Sequence, residues 1–226
     1  MLMRYYSLTG AAGPDVAQRE SGWHGSVPGP VLDAMQLHGG VTAECFASPL
    51  NATMATYFSA FPDTDSYFGS CGSFFSVVPA TGSYEANPPF DVTVATLMAQ
   101  AMVSALSLAK DSPEPLSFFV VMPFSDKNKT LPSTEAVMAA FHTNRDPAAT
   151  ILTEYTIAAT HAPYVDGYQQ CQPDAYFLTH LDTRLFLLQN KAATNLFPPN
   201  EAIAAIVAAW KLEAPAPKRT REDVAE

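Results

Sequence analysis

Residues 116–123 (LSFFVVMP) place the strongest constraint on the fold, because they form a nearly continuous run of apolar side chains. A β-branched and aromatic run of this length predicts a strand covered on both faces, as in the centre of a parallel sheet. Residues 92–109 precede the run and carry apolar side chains at a 3.6-residue period, which predicts a helix. A helix followed by such a strand indicates an α/β fold.

The remaining chain predicts further alternation of strands and helices. Helices are predicted at residues 31–38, 49–61, 133–141 and 200–212. Strands are predicted at residues 41–46, 67–68, 83–86, 151–156 and 175–189, and residues 74–78 are either a strand or a linking segment. The pattern predicts a mostly parallel sheet with helices on both faces and a late antiparallel strand.

One domain is expected, because 226 residues with 48% hydrophobic content can bury a single good core. Residues 1–26 are rich in Gly, Ser and polar side chains and predict an N-terminal arm that is either irregular or a short helix. Within this arm, Arg4-Tyr5-Tyr6 is a candidate to fold over a cofactor site. Residues 27–212 form the predicted domain, and residues 213–226 predict a disordered tail.

Cysteine usage and hydropathy narrow the class of protein. The three cysteines lie far apart, and neither they nor the five histidines form a zinc-binding pattern, so we predict reduced thiols and no metal. No apolar run reaches the ~18 residues of a membrane span, and no signal peptide is visible at the start. These features predict an intracellular protein of the nucleus or cytoplasm, with an organelle as a further alternative.

Asn87-Pro88-Pro89-Phe90 carries the clearest chemical signal, at the junction between a predicted strand and a predicted helix. The Asn87 side-chain carbonyl and the Pro88 backbone carbonyl can each accept one hydrogen from an NH₂ group. In an enzyme that methylates an amino group on a planar ring or amide, these contacts draw the nitrogen lone pair out of conjugation and orient it toward an electrophilic methyl group. Pro89 keeps the turn rigid, and Phe90 offers a face on which a base can stack. The tetrapeptide is also compatible with a plain Asn-Pro turn.

Several blocks occur in order along the chain: residues 44–51 (ECFASPLN), 59–65 (SAFPDTD), 67–70 (YFGS), 83–90 (SYEANPPF), 112–118 (SPEPLSF) and 185–190 (LFLLQN). Together they closely resemble the catalytic domain of the phosphorylated-CTD-interacting factor family, over roughly residues 27–190. The resemblance implies a Rossmann-like methyltransferase fold that uses S-adenosylmethionine. It also implies methylation at N6 of 2′-O-methyladenosine next to the 7-methylguanosine cap of RNA.

The resemblance assigns cofactor binding to the end of the predicted strand at residues 41–46. The residues concerned are Glu44, Phe46, Ala47, Ser48 and Pro49. The small side chains of Ala47 and Ser48 let the backbone approach the methionine part of S-adenosylmethionine. The glycines that many methyltransferases carry in this turn are missing, and a plain strand-to-helix corner is the alternative interpretation.

Asp63 and Asp65 are candidates for binding the ribose of the cofactor. An acidic residue after the second strand commonly accepts hydrogen bonds from both ribose hydroxyls. Asp65 is favoured because it lies nearer to the predicted strand at residues 67–68, and a solvated turn is the better interpretation of Asp63. The choice between them stays open.

The formal net charge of −10 bears on the RNA substrate that the resemblance implies. Proteins that bind RNA through its backbone present a basic face, whereas this chain has 12 basic and 22 acidic residues. We therefore expect a protein partner to supply a basic RNA-binding surface. Two rival functions are a methyltransferase-like scaffold subunit of a ribonucleoprotein or assembly complex, and methylation of a glutamine or asparagine amide.

Overall fold

The computed structural model describes residues 3–5, 25–125, 131–166 and 176–213. The strands within these residues are β1 (Gly25–Ser26), β2 (Ala43–Ala47), β3 (Tyr57–Ser59), β4 (Gly82–Ala86), β5 (Leu116–Phe124), β6 (Ile151–Ile157), β7 (Pro163–Asp166), β8 (Tyr176–Leu178) and β9 (Asp182–Gln189). The helices are α1 (Gly29–Gly39), α2 (Pro62–Asp65), α3 (Val92–Leu108), α4 (Pro132–Ala139), α5 (Lys191–Leu196) and α6 (Pro199–Glu213). None of these helices is long and apolar enough to cross a membrane.

The central sheet has six strands in the order β3-β2-β4-β5-β9-β6. Strands β2, β3, β4 and β5 are parallel, whereas β9 lies antiparallel between β5 and β6. The prediction of a mostly parallel sheet with a late antiparallel strand is therefore confirmed. The chain runs outward from β2 to β3 and then crosses back to β4, so the strand order reverses between β2 and β4. Ligands bind at such a reversal, beyond the carboxyl ends of the strands.

Helices cover both faces of this sheet, as the sequence predicts. Helices α3 and α4 pack on one face around Phe118, and α1 and α6 pack on the other around Phe119. These phenylalanines are adjacent on β5, and both are completely buried because successive side chains on a strand point to opposite faces. This double burial explains the nearly unbroken apolar run at residues 116–123.

A second, three-stranded sheet pairs β1 with β7 and β7 with β8, all antiparallel. The indole Nε1 of Trp210 in α6 donates a hydrogen bond to the Pro163 carbonyl of β7 at 2.9 Å. The hydroxyls of Tyr164 in β7 and Thr183 in β9 lie 2.8 Å apart and form a hydrogen bond. These bonds fix the small sheet, and with it the short strand β1, against the rest of the domain.

Helix boundaries follow local signals in the sequence. Helix α1 ends at Gly39 and is capped by Gly40, whose φ of 67° lies in the left-handed region that favours glycine. Asp91 caps the start of α3, where its Oδ1 accepts a hydrogen bond from the Val94 N–H at 2.9 Å. Asn190 caps α5 in the same way, and its side chain also ties together the backbone ends of α3 and β5.

The predicted helix at residues 49–61 and the predicted strand at residues 67–68 are wrong. Tyr57–Ser59 form the edge strand β3, which pairs in parallel with β2. The Glu44 carboxylate accepts hydrogen bonds from the backbone of Thr53 and Met54, so these donors are bound by a side chain instead of a helix. Ser66–Phe68 form a 3₁₀ turn, and Phe74–Ser76 form another, which makes residues 74–78 a linking segment.

The predicted terminal segments are described only in part. Residues 3–5 form a helical turn, in line with the short-helix alternative, whereas Gly25–Ser26 form the strand β1. Glu213 is the last residue of α6. Residues 6–24, which include Tyr6, and residues 214–226 of the predicted tail lie outside the described residues.

Candidate active site

A cavity of about 400 Å³ opens at the carboxyl ends of β2, β3 and β4, where the strand order reverses. This volume lies within the range typical of small-molecule sites. Three parts of the chain that are distant in sequence meet there: the end of β2, the end of β3 and the turn after β4. The residues that line it include Tyr5, Gly25, Phe46, Ala47, Ser48, Ser59, Ala60, Phe74, Phe75, Asn87, Pro88 and Pro89.

The Asn87 side chain lies at the wall of this cavity with a fixed orientation. Its Nδ2 donates a hydrogen bond to the Gly25 carbonyl of β1 at 3.0 Å. A carbonyl can only accept, so the amide nitrogen must face Gly25. The amide oxygen of Asn87 is therefore the atom left to accept hydrogen bonds from a ligand.

The two prolines of the same turn line the cavity, and Phe90 does not. Pro88 is buried and Pro89 is half-buried, and neither has a backbone N–H that could compete as a donor. Phe90 is 37% exposed beside the cavity. Its ring is thus accessible to a group that arrives from solvent, as base stacking requires.

The end of β2 and the turn that follows it contribute to the wall three of the five cofactor residues predicted at this strand end: Phe46, Ala47 and Ser48. The Asn51 Oδ1 accepts hydrogen bonds from the Ser48 backbone N–H at 2.8 Å and from the Ser48 hydroxyl at 2.9 Å. These bonds close a tight turn without glycine. Pro49 follows in this turn but does not line the cavity.

Glu44 is buried behind the same turn and does not line the cavity. One carboxylate oxygen accepts hydrogen bonds from the N–H groups of Thr53 and Met54 at 2.8 and 2.7 Å. Burial raises the pKa of Glu44, and these two hydrogen bonds oppose the rise. In this structure, Glu44 shapes the loop between β2 and β3.

The two aspartates that follow β3 lie in different environments. Asp65 is fully buried, and its Oδ2 accepts a hydrogen bond from the Tyr5 hydroxyl. Asp63 is exposed and accepts two hydrogen bonds from Arg4 Nη1 at 2.6 and 2.7 Å, and this contact lowers the pKa of Asp63. Neither aspartate lines the cavity, whereas Tyr5 does.

Glu85, two residues before Asn87, is also buried, and its Oε1 has no hydrogen-bond partner among the described residues. It faces Glu44 in the register of β4 with β2. Burial, followed by the charge of Glu44, raises the pKa of Glu85 well above its ordinary value. Glu85 does not line the cavity, so it is not placed to take a proton from a substrate there.

Sequence reasoning missed an aromatic wall and the role of β1. Phe74 and Phe75 line the cavity with Phe46, and their ring centroids lie 5.3 and 5.8 Å from that of Phe46. The pair of phenylalanines inside a Gly- and Ser-rich segment was the available signal. Nothing in the sequence pointed to Gly25, because its contribution is a backbone carbonyl.

A family model described as "Phosphorylated CTD interacting factor 1 WW domain" matches residues 1–167, which include β2, β4 and the turn at residues 87–90. The chain belongs to the phosphorylated CTD interacting factor 1 family. Two curated relatives carry the name mRNA (2′-O-methyladenosine-N(6)-)-methyltransferase. Over 214 residues the chain is 34% identical to the relative from Homo sapiens and 33% identical to that from Mus musculus. The match covers 93% of this chain and 28% of each relative, so the chain spans about a quarter of their length. The family membership predicted from the sequence blocks is thus confirmed.

Proposed function

We propose that this protein is an S-adenosylmethionine-dependent RNA adenosine N6-methyltransferase that acts on a cap-adjacent adenosine. The observation that carries the proposal is the shared cavity. Phe46, Ala47 and Ser48, assigned to the methyl donor, line the same cavity as Asn87 and Pro88, assigned to the target amine. The names of the two mammalian relatives support the choice of reaction and substrate.

The topology supports a Rossmann-like methyltransferase fold. The parallel strands β2 to β5 carry a reversal of strand order, and an antiparallel strand is inserted between β5 and β6. The cavity lies beyond the carboxyl ends of the strands at that reversal. A nucleoside cofactor fits this position.

The lining residues fit S-adenosylmethionine in size and chemistry. The cavity of about 400 Å³ has an aromatic wall that suits a nucleobase, and the compact turn at Ala47 and Ser48 lets the backbone approach. When bound, this cofactor supplies an electrophilic methyl group and leaves as a thioether.

The protein's own contribution to the reaction is orientation. The Asn87 amide oxygen and the Pro88 carbonyl each accept a hydrogen bond from one N–H of the adenine amine. These two bonds orient the nitrogen lone pair toward the methyl carbon. Phe90 stacks on the adenine from the solvent side. As the nitrogen bonded to the methyl carbon, the carbon–sulfur bond of the donor would break with its electron pair left on sulfur, and the surplus proton of the nitrogen would pass to water. No general base is needed, and Glu85 does not line the cavity.

We propose that this chain needs an additional basic surface in order to bind RNA. A net charge of −10 opposes the approach of a polyanion. We therefore infer that a protein partner or a further region supplies the basic surface. We also infer that the protein acts in the nucleus or the cytoplasm, because the two relatives are named for a modification of mRNA.

Two measurements test the proposal. Calorimetry with S-adenosylhomocysteine tests cofactor binding. Nucleoside mass spectrometry then tests methylation of RNA that carries either a cap-adjacent 2′-O-methyladenosine or internal adenosine alone. We expect binding, and N6-methylation of the cap-adjacent nucleoside. A protein that binds no S-adenosylhomocysteine with its partners present would instead be the scaffold subunit.

A further inference from the structure

Residues 3–5 are held at three points on the corner that follows β3. Arg4 pairs with the Asp63 carboxylate, and its guanidinium lies 5.4 Å from the centre of the Phe61 ring. The Tyr5 ring meets the Phe61 ring edge-on, with centroids 5.1 Å apart. The Tyr5 hydroxyl donates to Asp65. A segment about 60 residues away in sequence is thereby built into the candidate active site.

In this arrangement Tyr5, and not Asp65, is the side chain that a ligand meets at the end of β3. Tyr5 is 4% exposed and lines the cavity, next to Ser59 and Ala60. Asp65 lies behind Tyr5, with no exposed surface. A ligand that fills the cavity therefore meets the phenol ring, and the carboxylate acts on the ring through a hydrogen bond.

We propose that Tyr5 is a binding residue of the methyl-donor site and that Asp65 is a positioning residue that acts through it. The inference rests on the proposed use of S-adenosylmethionine. The phenol ring forms the wall against which the nucleoside part of the donor packs. Its hydrogen bond to a buried carboxylate fixes the ring before the ligand arrives, which avoids the cost of ordering it on binding.

The test is calorimetry with S-adenosylhomocysteine on the full chain and four variants. Tyr5→Ala removes the wall, so we expect affinity to fall at least about tenfold. Tyr5→Phe keeps the ring but loses the bond to Asp65, and we expect a loss of about threefold to fivefold. Asp65→Asn retains a carbonyl that accepts from Tyr5, so its affinity should stay within about twofold of the parent protein. Tyr155→Ala, on the edge strand β6, is the matched control and should bind as the parent does.

Each alternative gives a different result. If Asp65 bound the donor directly, Asp65→Asn would weaken binding, and would do so equally in the Tyr5→Phe background. If Tyr5 occupied the donor's place, Tyr5→Ala would bind more tightly. Either result, or unchanged affinity of Tyr5→Ala, overturns the inference and leaves the proposed function intact. No binding by the parent protein overturns both. Thermal unfolding of every variant separates these effects from loss of fold, and Tyr5→Leu replaces Tyr5→Ala if the latter does not fold.

Discussion

Substitution of Asn87 gives the most direct test of the proposed chemistry. The amide is fixed by a 3.0 Å hydrogen bond to the Gly25 carbonyl, so its oxygen is oriented before substrate binds. Removal of one such preorganised contact from a transition state typically costs about 2.7–4 kcal/mol, or about 10²–10³ in kcat. Asn87→Ala should therefore lower the methylation rate at least a hundredfold. The lost hydrogen bond should cost only about 1 kcal/mol in unfolding free energy.

Asn87→Asp separates orientation from the mere presence of an oxygen. An aspartate at this position has nearly the same shape, but its carboxylate cannot donate to Gly25. The two oxygens then repel each other, and the side chain turns away from the position that the amide holds. We expect the activity of Asn87→Asp to fall as far as that of Asn87→Ala.

The assay is transfer of a labelled methyl group to a capped RNA oligonucleotide, combined with calorimetry for cofactor affinity. Asn195→Ala is the matched control, because Asn195 is exposed on α5 and lies outside the cavity. Either Asn87 variant with a rate within threefold of the parent protein would show that the turn does not hold the amine.

Three further predictions concern base stacking, stability and pH. Phe90→Ala should raise the KM for RNA about tenfold or more through lost stacking, with cofactor affinity unchanged because the ring lies outside the cavity. The raised pKa of Glu85 means that the folded state binds the proton more tightly than the unfolded chain. The free energy of unfolding should thus decline as pH rises above the ordinary value of 4.5, by up to about 1.4 kcal/mol per pH unit, and Glu85→Gln should remove this decline. Asn190→Ala should lower the free energy of unfolding by about 3 kcal/mol, because it orphans buried backbone groups at three element ends.

Each of these predictions has a specific counter-result. For Phe90, Phe90→Tyr is the control and should keep the KM, and a Phe90→Ala protein with unaltered KM would rule out stacking. Urea unfolding between pH 5 and pH 8 checks Glu85, and equal pH slopes for parent and Glu85→Gln would contradict the burial argument. The same unfolding experiment checks Asn190, with Asn195→Ala as the control, and equal unfolding free energies for the parent and Asn190→Ala would contradict the capping argument.

Local patterns were sufficient to predict the centre of the fold. The run at residues 116–123 and the periodic helix before it became β5 and α3. Their burial is set by side chains near each other in sequence, so a short window contains the information. The turn at residues 87–90 was predicted as a functional element at the carboxyl end of a strand near a reversal of strand order, and β4 has that place in the sheet.

The errors lie where distant residues decide the local structure. The segment at residues 49–61 has helical spacing, but pairing with β2 converts Tyr57–Ser59 into a strand. The Glu44 side chain occupies donors that a helix would use. For the same reason the cavity could be predicted only in part. Arg4-Tyr5-Tyr6 was a candidate to fold over the cofactor site, and Tyr5 lines the cavity, whereas the positions of Phe75 and Gly25 depend on contacts far along the chain.

The hydrogen bond between Asn87 and Gly25 joins the two sheets of the protein. Asn87 follows a strand of the large sheet, whereas Gly25 belongs to the small one, which Trp210 holds in place through Pro163. The orientation of the Asn87 amide oxygen therefore depends on the position of the small sheet. A bulky substitution in α6 that displaced Trp210 would therefore rotate the Asn87 side chain, although α6 does not line the cavity.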